Sequence, residues 1–225
     1  MRFSIEKLKL EREDVQEDLR GLKLAPLALR VGDFGCGWGY TTLSLMLELQ
    51  TFECFGVDRF TKNLVLDVPS IEDVNLQFNE LREEVLSNAY PPEEHNIKSE
   101  IHQILQNSPF PKFQVGDVVT GDNLPSNLDF IYCKKLLQNI FDGGFNQYHK
   151  GDEGVNLAIN RIFHAVKQDG VICIVEPAGT NFMPFLEQNG LEMIRCCRIQ
   201  RNRISGQKRS TIIKEQYLLY HYKKP

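Results

Sequence analysis

Residues Leu27 to Leu45 read LALRVGDFGCGWGYTTLSL. An apolar run passes directly into Asp33-Phe34-Gly35-Cys36-Gly37-Trp38-Gly39. A helix pattern starts at Tyr40 and runs to Gln50, with Leu43, Met46 and Leu47 on one face. The order is strand, glycine turn, helix, with no spacer. Glycines in such a turn permit positive φ and let a ligand lie against the backbone. The helix N-terminus behind them offers N–H groups that have no partner within the helix. A second apolar run, Phe52–Asp58, ends in an acid nineteen residues after Gly39. An acid at that place can accept hydrogen bonds from the hydroxyls of a ribose.

Two details narrow the ligand. The spacing is G-x-G-x-G, with Tyr40 where a dinucleotide fingerprint needs its last glycine. Asp33 stands two residues ahead of the first glycine, where a carboxylate would repel a pyrophosphate. It suits a cationic group such as an amine or a sulfonium.

Outward from this turn, short apolar runs alternate with helical patterns. Further strands are expected at Lys112–Val115, Leu128–Cys133, Gly170–Glu176, Met193–Asn202 and Glu215–Tyr222, with the first at Ala28–Asp33. That rhythm predicts an α/β fold with a largely parallel sheet. The last two runs flank Arg203-Ile204-Ser205-Gly206-Gln207, a hairpin connection, so the sheet closes on an antiparallel pair. Glu153 to Gln168 predicts a helix with Val155, Ile159, Ile162, Phe163 and Val166 inward, Asp152 as its cap and Gly170 past its end. Residues 61–111 are too long for one crossover helix. They read as an acidic insertion of two or three helices hinged at Pro91-Pro92. Ile5, Leu8, Val15 and Leu22 form a weaker apolar stripe in the charged N-terminal segment, residues 1–24. The 225 residues are expected to form one domain.

Composition excludes several classes. Hydrophobic content of 42% and charged content of 25% are those of a globular domain, not a disordered or coiled-coil chain. No apolar run is long enough for a membrane helix, and the N-terminus lacks the apolar core of a secretory signal. A cytoplasmic protein with no membrane partner is expected. The six cysteines show no C-x-x-C pair and the five histidines no H-E-x-x-H, so reduced thiols and no metal site are expected. Arg195 to Pro225 holds nine Lys or Arg and one acid, within a chain of net charge −4. The tail is either a polyanion patch or a solvated hairpin face.

In order and spacing these residues resemble the class I S-adenosylmethionine-dependent methyltransferase family. The resemblance rests on D-x-G-x-G-x-G at Asp33 to Gly39 and on Asp58. It continues through Gly116-Asp117-Val118, LDFIYCKKLLQNI and HAVKQDGVICIVEP, and spans Leu27 to Tyr222. It implies a Rossmann-like, mostly parallel seven-stranded sheet with helices on both faces. It also implies S-adenosylmethionine as cofactor and S-adenosylhomocysteine as product. Residue by residue, it implies that Asp33 orders the methionine amino end and that Gly35, Cys36, Gly37 and Gly39 pass beneath the cofactor. Asp58 would hold the ribose with Arg59 beside it, Asp117 and Val118 the adenine, and Cys133 and Lys134 would lie along the methionine moiety. Asp169-Gly170 and Lys134-Lys135 depart from the family's usual residues, which bears on the acceptor rather than the cofactor.

The resemblance implies methyl transfer by in-line displacement to an O or N atom. The protein must place the acceptor and exclude water, and needs a base only for a protonated acceptor. Tyr148, His149 and Glu176 are the candidates for such acid–base work. The acceptor pocket is expected between the 61–111 insertion, residues 141–149 and residues 177–185, with the N-terminal helix as lid. A small-molecule acceptor is expected, a protein or RNA being the alternative. RNA would use the basic tail and Trp38, Tyr40, Phe141 and Phe145 for stacking. A nicotinamide-dependent oxidoreductase shares the strand, turn and distal acid, but predicts G-x-G-x-x-G without a preceding acid. A non-catalytic cofactor-binding module predicts a lost cofactor residue.

Overall fold

A computed structural model describes residues 3–24, 29–51, 53–60, 69–87, 94–107, 111–143, 151–204 and 212–225. In chain order the elements are α1 (Ile5–Leu19), β1 (Arg30–Phe34), α2 (Tyr40–Leu49), β2 (Glu53–Asp58), α3 (Ile71–Leu86), α4 (His95–Asn107) and β3 (Lys112–Val115). There follow β4 (Leu128–Lys134), α5 (Leu136–Phe141), α6 (Gly151–Ala165), β5 (Val166–Pro177), α7 (Met183–Gln188), β6 (Glu192–Ile204) and β7 (Ile212–Lys223).

The strands form one seven-stranded sheet in the order β3-β2-β1-β4-β5-β7-β6. β1 to β5 run parallel, and β7 lies antiparallel to both β5 and β6. Winding reverses between β1 and β4, where Phe34 pairs with Cys133. In an open sheet that reversal leaves a crevice beyond the carboxyl ends of the strands. The expected Rossmann-like architecture with its antiparallel close is therefore present.

Strands buried on both faces alternate their side chains between two cores. Phe34, Ile131, Cys133 and Ile174 pack with Val155, Ile159 and Ile162 of α6. Val31, Tyr132, Cys173 and Leu219 pack with Val15 of α1 and Leu45 and Met46 of α2. A third cluster joins the insertion to this second layer: Val74, Phe78, Leu81 and Val85 of α3 and Ile97 and Ile101 of α4 meet Ile5, Leu8, Tyr40 and Leu43. Ser70 and Asp73 close a reciprocal capping box that starts α3. The Pro91-Pro92 hinge lies outside the described residues.

Several boundaries differ from expectation: β1, β6 and β7 shift by one to three residues, Arg203 and Ile204 join β6 rather than the hairpin connection, and two further shifts change the packing. α6 starts at Gly151, so Asp152 sits inside its first turn rather than capping it. β5 starts at Val166, which pairs with Leu128 before the register jumps to Phe130–Val171. The intervening bulge is held from outside the strand. Asp169, at φ 62, donates its N–H to Lys224 O at 2.9 Å, and Gly170 O accepts from Lys224 N at 3.1 Å. Of the six cysteines, Cys36, Cys54, Cys133 and Cys173 are buried and all are free thiols. Among the described residues no helix is long and apolar enough to cross a membrane.

Candidate functional site

The glycine turn sits at the carboxyl end of β1, tied to the end of β2. Gly35 N and Cys36 N both donate to Val57 O, at 2.8 and 3.3 Å, and Gly39 N donates to Cys36 O at 2.9 Å. Gly37 N donates to Asp58 Oδ2 at 2.9 Å. The two later glycines serve different ends. A Cβ on Gly37, at φ +52, would meet nothing within 4 Å, so this point of the turn faces open space. A Cβ on Gly39, at φ +77, would stand 2.6 Å from the Phe113 ring and 2.9 Å from Phe78, so this glycine exists for packing.

Two acids flank the turn. Asp58 accepts from Gly37 N and, through Oδ1, from Arg59 N at 2.7 Å. Burial raises its pKa above the ordinary aspartate value, against the lowering effect of these amide donors. Asp33 is 1% exposed. Burial pushes it up to about 7, with Asp58 and Glu11 adding repulsion and the Thr42 hydroxyl opposing at 2.6 Å. A buried carboxylate with such a pKa near the carboxyl end of β1 is a functional-site candidate.

The segment after β3 joins the same edge. Gly116 N donates to Asp58 O at 2.9 Å. Asp117 accepts from Val119 N at 2.8 Å through Oδ1, and its Oδ2 lies 3.3 Å from Arg59 Nε. Val118 is buried beside them. The structure thus brings Asp33, Gly35, Cys36, Gly37, Gly39, Asp58, Arg59, Asp117 and Val118 to one end of the sheet. Cys133 is fully buried between β1 and β5, and burial pushes its thiol well up, so only its backbone is offered to a ligand. Lys134 turns toward α1, its Nζ 2.6 Å from Glu11 Oε2 and 3.1 Å from Asp14 Oδ2.

Glu176 is fully buried at the end of β5 and accepts from Leu137 N at 2.7 Å and Gln138 N at 3.1 Å. Burial pushes it up to about 8. It caps the N-terminus of α5, which gives it a structural task. Tyr148 and His149 lie outside the described residues. Sequence reading missed Thr42, Glu11 and Asp14. Thr42 carries a usable signal, a hydroxyl in the first turn of the helix after the glycines. The two acids carry none, because their partners are remote in sequence.

The donor set fits S-adenosylmethionine. A Cβ at Gly37 would enter the open space of the turn, Asp58 stands at its edge with a carboxylate that could accept from a ribose, and Asp33 is a buried carboxylate that could face a cation.

No protein-family model and no curated protein matches the sequence. Solved structures do. A TehB-like SAM-dependent methyltransferase from Corynebacterium glutamicum is 18% identical, with a TM-score of 0.53 over 96% of this chain and 87% of its own. A putative methyltransferase from Bacillus halodurans is 9% identical at TM-score 0.59, over 95% of this chain and 99% of its own. A SAM-dependent methyltransferase from Methanosarcina mazei is 14% identical at TM-score 0.54, over 90% and 99%. At such identities the likeness is one of architecture: this chain has the fold of the class I S-adenosylmethionine-dependent methyltransferases.

Proposed function

We propose that this protein is a S-adenosylmethionine-dependent methyltransferase that moves a methyl group to an O or N atom of a small-molecule acceptor. The observation that carries the reading is the Gly37–Asp58 pairing: an open glycine cradle with a carboxylate bonded across it at the β1/β4 reversal. Bound there, the cofactor supplies a methyl on a sulfonium already activated by its charge. The remaining work falls to the chain. Asp33 receives the cationic amino end, Asp58 the ribose hydroxyls, and Asp117 and Val118 the adenine.

In-line transfer needs the acceptor held against the methyl with water kept out. We assign that task to the single domain's two appendages. The N-terminal helix α1 acts as the lid and the helical insertion as the cap of the acceptor pocket. Phe3 stacks on Tyr40 with ring centroids 4.7 Å apart, next to Phe78 of α3, so lid and cap meet beside the turn. No covalent intermediate is required, in keeping with the absence of a nucleophile–base pair among the residues assigned here.

Titration calorimetry tests the reading. S-adenosylmethionine and S-adenosylhomocysteine bind and NAD does not, and Asp58→Ala weakens binding about 10- to 100-fold, the worth of a charge-assisted hydrogen bond. Binding of NAD alone overturns it in favour of an oxidoreductase. RNA as acceptor is a second reading, favoured by exposed Arg195 and Arg198 on the edge strand β6. Transfer of labelled methyl to bulk RNA would select it.

A further inference from the structure

One edge of the sheet is long and open. β6 stands last in the strand order and pairs with β7 alone. Among the described residues its outer side is therefore a row of unpaired N–H and C=O groups. The opposite edge, β3, is only four residues long. Proteins guard long edges with proline, lysine or bulges. β6 holds no proline and no lysine, and its bulge lies near one end, between Met193 and Arg195. From Arg195 to Ile204 its register against β7 is unbroken.

The side chains of this edge carry one sign of charge outward. Arg201 is buried against Asp14 and Asp18, and Glu192 stands opposite Lys223 in the ladder. Arg195 is exposed; its Nη1 donates to the Arg20 carbonyl at 2.7 Å, and it has no ion pair among the described residues. Arg198 is exposed and has neither a hydrogen bond nor an ion pair among them. Met193 and Ile194 are about half exposed, at 45% and 51%. The open edge is thus cationic and partly apolar. A second copy of β6 would set these arginines against arginines, with Glu192 already matched. Single-stranded nucleic acid is held by stacking on aromatic rings, and β6 has none. An extended acidic chain completes the ladder, answers the free cations and covers the apolar end.

We propose that β6 is a docking edge for a partner protein, which adds an extended segment of alternating acidic and apolar residues as the next strand of the sheet. The alternation follows from the pleat. Cys197 and Ile199 turn into the core on the α1 side, so Arg198 between them turns to the other face. Acids of the added strand lie beside Arg198, and its apolar residues extend the layer that holds Ile199. β5 and β7 separate this edge from the β1/β4 reversal, so a docked partner leaves the glycine turn open. The inference goes beyond the methyltransferase reading and does not depend on it.

The probes are two end-blocked peptides, Glu-Val-Glu-Val-Glu-Val and Lys-Val-Lys-Val-Lys-Val, alike in strand propensity and opposite in charge. Each is titrated into the isotope-labelled full chain and followed by NMR. The acidic peptide shifts the amide signals of β6, and the basic one leaves them unmoved. In Arg198→Glu the affinity for the acidic peptide falls about 3- to 10-fold and the basic peptide begins to bind. Arg198→Lys keeps most of the affinity. Should a variant fail to fold, the comparison of the two peptides on the wild-type chain still decides. An equal response to both peptides, or to neither, overturns the proposal, as does acidic-peptide binding indifferent to Arg198→Glu. So does a chain that dimerises through β6 in light scattering, which gives the edge to a second copy. Shifts along β6 with oligouridylate and none with the acidic peptide give it to RNA instead.

Discussion

At the scale of single residues, the two later glycines of the turn make separable claims. Gly37→Ala places a Cβ in open space at a φ of +52, which costs about 1–2 kcal/mol for an L-residue. It also fills the cradle. Chemical denaturation therefore shows a modest loss of stability, and calorimetry shows cofactor binding abolished. Gly39→Ala puts the Cβ 2.6 Å from Phe113, and overpacking adds to the backbone strain for about 2–4 kcal/mol in all. Its denaturation midpoint drops sharply. Both glycines, Asp33 and Asp58 were legible because turn chemistry is local. Glu176 as a cap was not: its N–H partners belong to Leu137 and Gln138, 39 and 38 residues earlier.

At the scale of elements, α1 explains its own faint signal. Its apolar stripe looks weak because two inward positions hold Asp14 and Asp18 instead of aliphatic residues. Both are matched by Arg201, so part of the C-terminal basic excess is neutralised inside the protein rather than displayed. Neither fact has a local signature, since the partners lie at opposite ends of the chain. The strands, by contrast, were legible within a few residues, because β-branched and aromatic runs bounded by turns are read locally. α5 and α7, six residues each, are too short to show a helical period. The α5 cap yields a prediction. Glu176→Ala orphans amide donors at a buried helix start and lowers stability by about 1–3 kcal/mol, whereas Glu176→Gln keeps an acceptor and loses less. Urea midpoints distinguish the two.

At the scale of the whole molecule, the buried acids set a pH dependence. In the fold Asp33 titrates at about 7 against 3.8 unfolded, and Glu176 at about 8 against 4.5. Between those limits the folded state binds more protons than the unfolded one. These two groups therefore make stability fall as pH rises from about 4 to about 8, with no further change above. Ligand-free protein unfolds at lower urea at pH 8.5 than at pH 6, and the double variant Asp33→Asn, Glu176→Gln flattens that slope.

The sheet order has a consequence for biosynthesis. β7 lies between β5 and β6, and Asp18 of α1 leans on His221, which is translated 203 residues later. Until β7 is translated, β6 has no strand to pair with, and Asp18 of α1 lacks His221. Nascent chains halted before Ile212 should leave β6 more open to protease than chains that include β7.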